Sequence, residues 1–119
     1  MRGSLGLARS VAGFGIALLA ISGAATRPVA AQETAAVAIT VKGHQFRPAE
    51  VHAPANKRLA IRVKNLDSVA MEFESVSLRV EKVIAAGSEG VVNVRALSPG
   101  RYEFFDDFHQ QTRGVLVVR

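Results

Sequence analysis

Apolar and polar residues alternate along most of the chain beyond residue 36. Val37, Ile39 and Val41 stand against Ala38, Thr40 and Lys42, a period of two that predicts a half-buried strand. Gly43 interrupts it, and Phe46 and Pro48 follow. Pro48 has no N–H to give a ladder, so the chain bends or runs along an edge there. Val51 and Ala53 mark a second short strand, closed by Pro54 and the turn Ala55-Asn56-Lys57. Leu59, Ile61 and Val63 against Ala60, Arg62 and Lys64 form the cleanest alternation of all, and Asn65-Leu66-Asp67-Ser68 ends it with turn formers. Met71 to Ser75 reads as extended, with Met71 and Phe73 on one face and Glu72 and Glu74 on the other. Residues 78–84 fit a strand or a short helix. A turn over Gly87–Gly90 leads to a strand through Val92 and Val94, and Pro99-Gly100 suits the centre of a type II turn. Tyr102 and Phe104, then Leu116 and Val118, predict two closing strands around a polar loop. About seven short strands at spacings of roughly 8–12 residues predict an all-β sandwich.

The first thirty-one residues follow another rule. Arg2 and Arg9 precede an apolar run of eleven residues, Val11–Ile21, and Val29-Ala30-Ala31 is a small-x-small site. The run is too short for a bilayer core of about 30 Å. Residues 1–31 therefore read as a secretory signal cut before Gln32, with residues 32–119 as the single domain and the periplasm as its expected compartment. An uncleaved anchor is the alternative; no stable membrane span is expected after cleavage.

This division changes the reading of charge. The whole chain carries +5, but residues 32–119 hold twelve Lys/Arg against ten Asp/Glu, hence +2. No basic run interleaved with aromatics occurs, so nucleic acid is not an expected partner. The chain has no cysteine. Disulfides, thiol nucleophiles, iron–sulfur clusters and copper–thiolate centres are excluded. No serine–histidine–acid arrangement with elbow glycines and no glycine-rich phosphate loop is present. A binding protein is expected rather than a stand-alone enzyme.

The residues that carry chemistry are acids and one histidine. Asp106, Asp107 and His109 fall within four positions between the closing strands, and Glu72 and Glu74 share a strand face. Each has a bland reading beside the functional one. Glu72 and Glu74 also suit a solvated face paired to Arg62, Lys64 or Arg79. Glu81-Lys82 also suits a surface ion pair worth little. Asp106-Asp107 also suits a turn capping its own backbone. Met71 also suits the core. His44 and His52 lie outside the cluster and receive no role.

The frame of Phe46-x-Pro48, the Leu59–Val63 strand, Asn65, then Leu97-x-Pro99-Gly100-x-Tyr102-x-Phe104 and Gly114-x-Leu116-x-Val118 resembles the cupredoxin fold, a Greek-key β-sandwich of seven to eight short strands. In blue-copper members the thiolate cysteine falls where Asp106 stands, and a histidine ligand falls at His109. The first histidine falls near Met71, and the axial methionine falls among Gln111, Thr112 and Arg113. One ligand position of four is kept. A narrower resemblance rests on Asn65-Leu66-Asp67, Glu72-Phe73-Glu74-Ser75, Leu78-Arg79-x-Glu81-Lys82-Val83 and Phe104-Phe105-Asp106-Asp107-Phe108. These are similar to cysteine-less cupredoxin-like periplasmic proteins of bacterial ferrous-iron uptake, encoded with an iron permease.

The resemblance implies a metal ion as cofactor, iron or copper, and periplasmic or membrane iron-uptake proteins as partners. In such a sandwich the loop after Asn65 and the closing loop meet at one end. The expected metal ligands are then Glu72, Glu74, Asp106, Asp107 and His109, with Glu81 and Met71 as further candidates. Carboxylate and imidazole suit iron, manganese or Cu(II), whereas methionine would favour Cu(I). The expected role is binding Fe(II) or assisting its oxidation. A metal-free module that docks a partner through the same acids is the alternative, and a copper-binding or electron-transfer protein is a third reading.

Overall fold

A computed structural model describes residues 33–119. The expected signal segment, 1–31, lies outside the described residues. The described residues form nine strands: β1 (Thr34–Lys42), β2 (Gln45–Arg47), β3 (Glu50–Ala53), β4 (Arg58–Asn65), β5 (Met71–Ser75), β6 (Val80–Ile84), β7 (Glu89–Val94), β8 (Gly100–Asp106) and β9 (His109–Val118). They make two sheets, in the orders β2-β1-β4-β7 and β3-β9-β8-β5-β6. The all-β sandwich read from the alternation is what forms, with nine strands rather than seven or eight.

The alternation explains the layers. Val37, Ile39 and Val41 of β1 and Leu59, Ile61 and Val63 of β4 all point into the core. The two strands run parallel, Val37 opposite Ile61 and Ile39 opposite Val63. From the second sheet come Met71, Phe73, Phe104, Leu116 and Val118. Phe73 and Phe104 stack with centroids 5.0 Å apart, and Phe46 meets Phe104 edge-on at 4.8 Å. Each fully buried side chain of this kind contributes about 1.5–3 kcal/mol of transfer free energy. Gly114, opposite Phe104 in the β8–β9 ladder, leaves room for that ring: a Cβ there would lie 2.5 Å from it.

One reading left open between strand and helix is decided, and two local expectations are corrected. Residues 78–84 are no helix: Val76–Arg79 turn and Val80–Ile84 pair antiparallel with β5. The buried Ser75 hydroxyl sets this turn, accepting the Leu78 N–H at 3.2 Å and donating to the Glu103 carbonyl at 2.7 Å, and Arg79 closes it with φ of 59°. Gly100 keeps no positive φ and opens β8 opposite Val118, so Pro99-Gly100 is not the centre of a type II turn. The polar loop between the closing strands shrinks to two residues, Asp107 and Phe108, because Asp106 pairs directly with His109.

Asn65 joins three segments at the end of the sandwich where the β1–β2 and β8–β9 turns lie. Its buried side-chain amide donates to the carbonyls of Val69, Ile84 and Ala85, and its oxygen accepts the Asp67 N–H at 3.0 Å. That fastens the β4–β5 connection over this end.

Candidate metal centre

Strand alternation sorts the candidate residues onto opposite sides of the second sheet. Glu72 and Glu74 face outward from β5, half-buried, and Asp107 leads out of β8 beside them, its N–H bonded to the Glu72 carbonyl at 2.9 Å. One carboxylate oxygen from each of Glu72, Glu74 and Asp107 lies within 4.8 Å of the others. Neither Glu72 nor Glu74 is ion-paired among the described residues; Arg62 pairs with Glu89 instead. Glu81 stands opposite Glu74 in the β5–β6 ladder. Partial burial raises both Glu72 and Glu74 above the ordinary glutamate value of 4.5. The negative charges of Glu81, Asp107 and Glu74 add to this at Glu72, and those of Asp107 and Glu81 add to it at Glu74. A cation among these oxygens would relieve that repulsion.

The other expected ligands go elsewhere. Met71 points to the opposite face from Glu72, is 1% exposed, and packs in the core. Asp106 is fully buried. Its Oδ1 accepts the N–H of Glu72 and of Phe108, each at 3.0 Å, and its Oδ2 accepts from His109 Nδ1 at 2.8 Å. The carboxylate thus ties β5, the hairpin turn and His109 together from inside. It backs His109 and does not face the Glu72–Glu74–Asp107 cluster. His109 turns away from that cluster too, toward the β1–β2 hairpin. The single group of ligands expected from the sequence is therefore divided: Glu72, Glu74 and Asp107 converge, with Glu81 near, while Asp106, His109 and Met71 do not join them.

What His109 meets is His44, a residue to which sequence reasoning gave no role. The two rings lie with centroids 4.2 Å apart, tilted by 36°. Gly43 and His44 are the two-residue loop between β1 and β2, with φ of 62° and 58°. Positive φ at both positions is what a type I′ hairpin demands. The left-handed conformation costs a non-glycine residue such as His44 about 1–2 kcal/mol. Asp67 holds the loop: its carboxylate accepts the N–H of Gly43 at 2.6 Å and of His44 at 2.9 Å. Those backbone bonds, from His44 first, hold the Asp67 carboxyl below its ordinary value, against partial burial and with help from the nearby imidazoles of His44 and His109. Thr112 fixes the other side of His44 by donating to its carbonyl at 2.7 Å. The sequence signal was present in Gly43-His44 after a regular strand, a two-residue hairpin. Its partner lies sixty-five positions later, so no local pattern joins them.

Among the described residues, no helix is long and apolar enough to cross a membrane. Solved structures share the fold at low identity, which speaks for architecture alone. The copper(I)-bound metal-binding domain of a copper(I)-exporting P-type ATPase from Streptococcus pneumoniae superposes with TM-score 0.61 at 15% identity, covering 75% of this chain and 98% of that one. A purple cupredoxin from Nitrosopumilus maritimus gives 0.55 at 17% identity, covering 71% and 99%. A reduced amicyanin variant gives 0.59 at 13% identity, covering 71% and 82%. In sequence, an uncharacterized Rickettsia prowazekii protein is 37% identical over 83 residues, 69% of this chain; the match spans 66% of that relative's length. The family profile described as cupredoxin-like domain matches residues 12–118, and with the two-sheet topology this establishes that the chain belongs to the cupredoxin-like domain family.

Proposed function

We propose that this protein is a periplasmic metal-binding accessory of bacterial iron uptake, holding Fe(II) on Glu72, Glu74 and Asp107 for a membrane iron permease. The convergence of three half-buried carboxylates without a basic partner supports this reading. Hard oxygen donors suit iron and manganese. Three carboxylates carry more negative charge than Fe(II) balances, which favours Fe(III) and eases loss of one electron to an external oxidant. Glu81, opposite Glu74 in the β5–β6 ladder, is a further candidate ligand. The iron-uptake assignment draws on the resemblance of the Glu72–Ser75 and Phe104–Phe108 segments to permease-associated proteins, and the compartment on the signal-like residues 1–31.

A second reading is a docking module without metal. Phe108, at the β8–β9 turn beside Asp107, is 51% exposed, and Leu66 and Val69 are each 46% exposed on the β4–β5 connection. Anaerobic calorimetric titration with Fe(II), Mn(II) and Cu(II) separates the two. On the first reading the protein binds one equivalent of Fe(II), and Glu72→Gln, Glu74→Gln and Asp107→Asn each weaken it at least tenfold. Absence of Fe(II) binding, or binding indifferent to all three substitutions, leaves the docking module.

A further inference from the structure

We propose that His44 and His109 are the two nitrogen ligands of a copper(II) site, distinct from the carboxylate cluster and built between the β1–β2 and β8–β9 turns. His109 is already prepared as a ligand. Asp106 accepts from its Nδ1 at 2.8 Å, which leaves Nε2 as the open nitrogen. A carboxylate behind the imidazole is the usual support of a metal-bound histidine, fixing its tautomer and raising its basicity. Asp106 itself is buried and tied to two backbone N–H groups, so His109 is anchored to the sheet and not to a mobile tip.

His44 supplies the second nitrogen. Its backbone is bolted by Asp67 and Thr112, while its ring stays 52% exposed beside an open depression of about 660 Å³ that His109, Gln110 and Gln111 also border. The loop backbone is thus fixed, and it presents the half-exposed His44 imidazole against the ring of His109. Two nitrogens bound to one ion at about 2.0 Å each lie no more than about 4 Å apart. The rings lie 4.2 Å apart between centroids, so sharing one ion requires the half-exposed His44 ring to turn a nitrogen toward Nε2 of His109. Asp67 Oδ2 stands 3.8 Å from His44 Nδ1, which puts a negative charge beside the pair while both its oxygens stay bonded to the loop N–H groups.

The donor set selects the metal. Imidazole nitrogen binds copper(II) more tightly than the other divalent first-row ions, whereas the all-oxygen cluster on the outer sheet face suits iron. The site shares only His109 with the blue-copper positions, because Met71 is sealed in the core and Asp106 faces the far nitrogen of His109. It does not rest on the iron reading: either site stands without the other.

Electron paramagnetic resonance of the full chain with one equivalent of Cu(II) tests the assignment through nitrogen couplings. Two imidazole nitrogens are expected. His44→Asn preserves the hairpin, since asparagine tolerates positive φ. It should leave the unfolding temperature of the metal-free protein unlowered, reduce the signal to one imidazole, and weaken Cu(II) binding at least tenfold. The Glu72→Gln/Glu74→Gln double variant should keep the two-nitrogen signal, as should His52→Gln, which removes a histidine paired with Glu50. No stoichiometric copper in the wild type, an unchanged signal in His44→Asn, or loss of the signal in the glutamate variant overturns the proposal. Fe(II) affinity, measured on the same variants, reports separately on the carboxylate cluster.

Discussion

Asp106 offers a perturbation whose two versions separate stability from ligand readiness. The carboxylate accepts three hydrogen bonds, from the N–H of Glu72, the N–H of Phe108 and Nδ1 of His109. Asp106→Ala leaves two backbone donors without an acceptor at a fully buried position. Each costs about 1–3 kcal/mol, and both bonds are only partly shielded, so a total loss of about 2–4 kcal/mol is expected. In a domain of this size that lowers Tm by something on the order of 10–25 °C. Asp106→Asn behaves differently. Its amide oxygen can still accept from Glu72 and Phe108, but its NH₂ now faces His109 Nδ1 and must donate. His109 is pushed to the other tautomer, with the proton on Nε2 and no lone pair toward His44. The asparagine variant should therefore lose only the charge-assisted part of the network, about 1–2 kcal/mol, yet forfeit the open nitrogen. Urea unfolding gives the stability difference, and ¹⁵N-detected imidazole spectra give the tautomer. Equal stability of both variants with the wild type would refute the buried network. An unchanged His109 tautomer in Asp106→Asn would refute the role of the carboxylate behind it.

Other outcomes follow from the same structure. Gly114→Ala places a Cβ 2.5 Å from the Phe104 ring and 2.9 Å from the Ala49 carbonyl, which itself accepts the Val115 N–H, so a loss of about 1–3 kcal/mol is expected in thermal or urea unfolding. Asn65→Ala removes the amide that holds Val69, Ile84 and Ala85, and should raise amide hydrogen exchange across the β4–β5 and β6–β7 connections. The raised Glu72 and Glu74 values mean that the folded state holds protons more tightly than the unfolded chain. Their contribution to the stability of the metal-free protein should therefore rise as pH falls from neutral toward the ordinary 4.5, while Fe(II) affinity falls over the same interval, checked by calorimetry at several pH values. Asp67 works in the opposite direction: its lowered value stabilises the fold above 3.8, and that contribution is lost as pH falls below it, seen as acid unfolding that Asp67→Asn blunts.

The fold was legible because burial in a two-layer sandwich imposes a period of two, and that period is written locally in β1, β4, β5 and β9. The same period told which way each candidate would point: with Phe73 inward, Glu72 and Glu74 had to face out and Met71 in. The absence of cysteine settled by sequence alone that no copper–thiolate centre can form. The turn at Val76–Arg79 was not legible, because the Ser75 hydroxyl that sets it takes its partner from Glu103, on another strand. Nor was the division of the acids and histidines. Asp106, Asp107 and His109 are neighbours in sequence, yet a two-residue hairpin sends one inward to the core, one outward to Glu72 and Glu74, and one sideways to His44. Sequence fixes which face of a strand a side chain takes, since that follows from backbone pleat. Which distant side chain waits on that face depends on how sheets and turns dock, and for His44 and His109 only the tertiary structure decides it.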